Sequence, residues 1–234
     1  MRTIDKYKEN RLFSITLPKL REHILTQKNQ QNRTVPTKEE QYLIDVAISA
    51  FNITECLDQV YFSIEMLSGF RKRKGFFMTR HDYIVFMVEN FYLRLTSIFD
   101  RALRLTNLAL DIGLPNRECR ESTIIKNSKI KGSDIESTLK EINKIMSDFR
   151  KTRNQIAHSE AYSEKELIYI QGFYLTIDVP EMSKYKSLMK RETDNYIKVK
   201  KDELGRVTEN LEKIVGEFFE SLSPIIESKA ESYK

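Results

Sequence analysis

The sequence predicts an all-α fold, a helical bundle of four to five long helices. Two observations carry this. The 234 residues include only 7 glycines and 5 prolines, too few for the turn-dense sequence of a sandwich, barrel or propeller. Apolar residues also recur every three or four positions over long stretches, the period of an amphipathic helix. At 40% apolar and 31% charged residues, a chain of this length buries a core without disulfides or metals. It contains no 18-residue apolar run that would span a bilayer.

Residues 1–37 read as a polar N-terminal arm with at most one short helix. They carry Pro18, Pro36 and the run Gln27-Lys28-Asn29-Gln30-Gln31-Asn32. Thr37 and Glu40 form a capping-box pattern that opens a first long helix over 38–68, closed by Gly69. Thr79 and Asp82 can cap a second helix over 80–112. Its apolar positions are Ile84, Met87, Val88, Phe91, Leu95, Ile98, Ala102, Leu105 and Ala109. Asn90, Arg94, Ser97, Arg101 and Arg104 make a polar stripe on another side, and Gly113-Leu114-Pro115 ends the helix.

Ser133 or Asp134 can cap a third helix over 134–157, with Ile135, Leu139, Ile142, Met146 and Phe149 on one stripe. The stripe continues through Arg153 to Ile156. A guanidinium therefore occupies a core-facing position, which normally requires a partner or a polar cleft. The segment 167–177 mixes β-branched and aromatic residues. It reads as helix to about residue 172, then loop to Asp178-Val179-Pro180. A last helix over 193–221 carries Ile197, Leu204, Val207, Leu211, Val215, Phe218 and Leu222, and Pro224 is expected to end or kink it.

Cys56 and Cys119 lie outside any CxxC pair and read as buried reduced thiols, which suits the cytoplasm. The charged N-terminus does not resemble a signal peptide. The net charge of +5 is uneven: residues 1–34 hold eight basic and three acidic groups, and 70–80 hold five basic and none acidic, mostly in Arg71-Lys72-Arg73-Lys74. Such blocks either attract phosphate or form solvated loops.

Nucleotide-binding glycine loops, nucleophile elbows and metal-ligand spacings are absent from the sequence. One motif stands: Arg153-Asn154-Gln155-Ile156-Ala157-His158. Here the chain resembles the HEPN superfamily (higher eukaryotes and prokaryotes nucleotide-binding), whose pattern sets an Arg, often a polar neighbour, and a His four to six places on at a helix end. Glu89-Asn90-Phe91-Tyr92-Leu93-Arg94 through Asp100 resembles the partner helix of one bacterial subfamily. The resemblance covers roughly 38–175 within a domain of 38–234, leaving 180–234 as a C-terminal helical extension. It implies a two-fold homodimer with both motifs lining a cleft. Many members are metal-independent endoribonucleases, often toxins or phage-defence effectors restrained by an antitoxin or regulatory protein; others only bind nucleotide, RNA or protein. By position, Arg153 and His158 match the fixed pair and Asn154 the polar companion.

The chemistry of these residues agrees. RNA cleavage by its own 2′-OH needs a proton-transfer group of near-neutral pKa, which an imidazole supplies. It also needs fixed positive charge on the developing phosphorane, which a guanidinium supplies through its fork of donors. No metal or other cofactor is required, and RNA is the expected partner. Five residues of regular helix place Arg153 and His158 about 140° apart and about 7.5 Å along the axis. They meet only if the helix ends or bends near His158, if the Arg wraps its stem, or if two protomers each contribute. Other candidates have a structural role open beside the functional one. Arg94, Arg101, Arg150 and Lys151 are phosphate contacts or solvated charges. Glu89 and Asn90 orient Arg153 or serve the fold. Tyr162 stacks a base or packs inside. His158 alone reads as a helix cap, with Arg153 paired to Glu89 or Glu160.

Overall fold

The structure, a computed structural model, describes residues 2–28, 35–72, 75 and 77–233. Eight α-helices are present among them: α1 (Thr3–Lys6), α2 (Arg11–Lys28), α3 (Lys38–Met66), α4 (Arg80–Ala109), α5 (Glu121–Ile124), α6 (Asp134–His158), α7 (Lys165–Thr176) and α8 (Lys186–Glu231). Short 3-10 turns lie at Asn116–Glu118 and Pro180–Tyr185. No strand occurs among the described residues, and the fold is all-α as the composition predicts.

The caps form as their sequences dictate. Thr37 N donates to Glu40 Oε2 at 3.0 Å while Glu40 N donates to Thr37 Oγ1 at 3.2 Å, so two orphan donors of α3 are satisfied reciprocally. Thr79 and Asp82 do the same for α4, at 2.9 Å and 3.1 Å. Ser133 Oγ accepts from Glu136 N at the start of α6. Beyond α4 the chain reverses at Gly113, whose φ of +81° is costly for any residue with a Cβ. Asn107 fixes that turn by bonding Leu114 in both directions.

The chain divides into two compact units. The first comprises residues 1–58, 97–146 and 211–234. Its core gathers Tyr7, Phe13, Phe51 and Phe219, with Phe13 and Phe219 edge to face at 5.3 Å. Gly216 leaves room for the Tyr7 ring, since a Cβ there would lie 3.1 Å from Tyr7 Cε1. Cys56 and Cys119 are both buried thiols, and neither forms a disulfide.

The N-terminal segment departs from the expected arm. Residues 11–28 form an 18-residue helix, and Leu12, Phe13 and Thr16 are fully buried. Thr3 donates from both N and Oγ1 to Asp58 at 2.7 Å, Lys6 pairs with Glu212 at 2.7 Å, and Arg11 pairs with Glu227. These partners lie too far along the chain for local patterning to reveal them. Pro18 sits inside α2 and Pro224 inside α8, which continues to Glu231 rather than ending there. Each removes one helical donor, and neither terminates its helix. Of the expected polar run and basic loop, residues 29–32, Arg73 and Lys74 lie outside the described residues.

The second unit comprises residues 59–96 and 147–210. Ile84, Val88, Phe91 and Leu95 of α4, Leu167 and Ile170 of α7, and Ile197 and Leu204 of α8 are buried in it. The stretch 167–177 is helical through Thr176, beyond the expected end near residue 172, because Leu167, Ile170 and Phe173 place an i, i+3, i+6 stripe inward. Among the described residues, no helix is long and apolar enough to cross a membrane.

Candidate active site

The motif occupies the last turns of α6, in the second unit. Earlier in this helix Ile135, Leu139, Ile142 and Met146 are buried. From residue 147 to 158 none is: Phe149, Thr152, Arg153 and Ile156 are half-buried, and Asn154, Gln155 and His158 are exposed. His158 is the last helical residue, and the N–H groups of Ser159 and Glu160 both close onto Gln155 O at 2.8 and 3.0 Å. The imidazole therefore sits at the C-terminal end of the helix, beside the last backbone carbonyls.

Among the described residues, the side chains of Arg153, Asn154 and His158 have no hydrogen-bond or ion-pair partner within the chain. The structural alternatives pairing Arg153 with Glu89 or Glu160 are not realised. Glu89 Oε1 instead accepts the Tyr162 backbone N–H at 2.7 Å. A half-buried guanidinium, a carboxamide and an imidazole are thus left with their donors and acceptors unspent at one helix end.

The segment after His158 is held by a polar network that sequence reasoning did not find. Tyr162 O–H donates to Glu164 Oε2 at 2.9 Å, and Tyr196 O–H donates to Glu164 Oε1. The Lys200 ammonium, almost wholly buried, reaches Glu164 at 3.1 Å and Glu203 at 2.8 Å. Burial works to lower the Lys200 pKa, but the Glu203 bond and the Glu164 charge outweigh it and hold the ammonium above its usual range. Burial pushes the Tyr162 and Tyr196 phenols up, and the nearby Glu164 adds to it. One signal did mark Lys200. It follows Thr193, Tyr196 and Ile197 and precedes Leu204 on the inward stripe of α8, a charge at an apolar position like Arg153.

The remaining candidates divide. The Tyr162 ring packs on Tyr92 at 5.4 Å, and Tyr92 packs on Phe149 at 5.7 Å, which ties the linker to the motif helix. Asn90 is half-buried on α4, and Arg94, Arg150 and Lys151 are exposed. Arg101 belongs to the first unit, where its Nη1 donates to Asn52 O at 3.1 Å. Among the described residues, no group of three or more His, Cys, Asp or Glu side chains is placed to hold a metal ion.

An all-helical chain with an Arg-Asn-x-x-x-His motif at an exposed helix end defines a HEPN domain. The Cthe2314-like HEPN family matches residues 51–228, and the chain belongs to that family. The match contains the motif and runs past residue 175 through most of α8. No curated protein and no solved structure matches the chain.

Proposed function

We propose that the protein is a metal-independent endoribonuclease whose catalytic groups are Arg153, His158 and Asn154. The observation that carries the reading is the half-buried guanidinium of Arg153, which has no partner among the described residues, beside the unpaired Asn154 and His158 at one helix end. His158 takes the proton of the ribose 2′-OH as its oxygen attacks the adjacent phosphorus. Arg153 stabilises the charge of the phosphorane, and Asn154 donates to a phosphate oxygen or orients the imidazole. The P–O5′ bond breaks and an acid protonates the leaving oxygen. The products are a 2′,3′-cyclic phosphate and a 5′-OH. In a two-fold dimer one His158 serves as base and the other as acid, so the homodimer is the active form. Arg94, Arg150 and Lys151 are proposed phosphate contacts. A cytoplasmic toxin or phage-defence role, with an antitoxin or regulatory partner, is the setting this chemistry suits.

The test is end-labelled RNA incubated with the purified chain in EDTA. Cleavage leaving cyclic phosphate ends, with a rate that falls on dilution below the dimer's dissociation constant, is the expected result. Salt-sensitive binding that is lost in Arg153→Ala, without any turnover, would instead make the protein a non-catalytic binding module.

A further inference from the structure

Resting on the endoribonuclease reading, we infer that a cavity beside the motif is a base pocket selecting guanine next to the scissile phosphate. The cavity, of about 440 Å³, opens between the first half of α4, residues 161–163 and α7, a size suited to a small planar ligand. Its wall begins three residues beyond His158, at most about 11 Å of chain away.

The lining chooses among ligands. Phe86 and Ile168, 52% and 57% exposed, line the cavity and leave apolar surface uncovered by the chain. An exposed aromatic face of this kind stacks a nucleobase. Among the described residues no lysine or arginine lines the cavity, whereas Asp82 and Glu89 do. Phosphate is therefore repelled, and a neutral group presenting hydrogen-bond donors is accepted.

Glu89 has one oxygen on the Tyr162 N–H. Its second takes no hydrogen bond among the described residues, and each carboxylate oxygen has two lone pairs. Guanine alone offers a carboxylate two parallel donors, N1–H and N2–H. Adenine and cytosine offer one amino group, and uracil one imide N–H. The Gln171 amide, exposed and without a hydrogen-bond partner among the described residues, can donate to guanine O6. Asp82 is committed elsewhere, to the α4 cap and to His81 Nδ1 at 3.2 Å, so base selection falls to Glu89 and Gln171. Base in the pocket and phosphate at the Arg153 end is the division of labour that this charge pattern imposes.

The experiment is NMR titration of the full chain with guanosine, adenosine, cytidine, uridine and free arginine. In parallel, RNAs bearing each base at one position are tested for cleavage. Guanosine should shift resonances of Phe86 and Gln171 and bind at least tenfold tighter than the other nucleosides. Glu89→Gln should remove that preference, and Phe86→Ala, a surface change that spares the fold, should weaken all four nucleosides. Equal binding of the four, no binding, or arginine binding in place of guanosine overturns the assignment. Guanosine binding by a chain that cleaves no RNA leaves the pocket standing and fells the nuclease reading. Cleavage without nucleoside binding does the reverse.

Discussion

The two halves of α6 differ sharply in burial. Residues 135–146 place Ile135, Leu139, Ile142 and Met146 in a core. Residues 147–158 bury nothing fully, yet hold Arg153, Asn154 and His158. One continuous helix thus gives its first half to burial and leaves its second half for the proposed chemistry. The linker that follows is fixed from the other side by Glu89, Glu164 and Lys200. His158 therefore directly precedes an anchored segment of the second unit.

This contrast can be broken by mutation. Leu139→Ala should cost about 2–5 kcal/mol through lost burial and a cavity. A loss under about 1 kcal/mol in urea denaturation would show that the first half of α6 is not an anchor. Lys200→Met should cost about 2 kcal/mol, because it leaves the half-buried Glu164 without its cation. The figure is reduced from that of a fully buried pair because Glu203 is half exposed. Calorimetry should show a melting temperature several degrees lower.

Asp82→Ala should cost about 1 kcal/mol as a lost helix cap. Burial alone raises the Asp82 carboxyl, but the Thr79 N–H and hydroxyl donors and His81 outweigh it and hold it below its usual range. A carboxylate lowered on folding stabilises above its ordinary pKa, and this is lost as pH falls through the lower folded value. The drop in urea midpoint between pH 6 and pH 3 should therefore shrink in Asp82→Asn. The smallest effect belongs to Arg153→Ala, expected to change stability by under about 0.5 kcal/mol. A large loss would mean that the second half of α6 is structural too.

Much of this was legible locally. The reciprocal caps at Thr37 and Thr79, the buried stripe of α4 and the stripe of α6 follow from spacing alone. So does Arg153, conspicuous as a charge where the period calls for an apolar residue. What escaped depends on partners distant in sequence. Tyr7 and Phe13 sit among polar residues, and partners far on in the sequence, Phe51 and Phe219 among them, make them core. Glu164 reads as an ordinary surface acid until Tyr196 and Lys200 are brought to it. Lys200 carried the same signal as Arg153, but without a motif around it that signal had no chemical meaning.

The most direct test compares RNA cleavage rates of the wild-type chain and His158→Ala in EDTA, at matched melting temperature. A fall of about a hundredfold or more is predicted from removing a proton-transfer group. Equal rates, or no cleavage by the folded wild-type protein, would contradict the assignment of catalysis to the exposed end of α6.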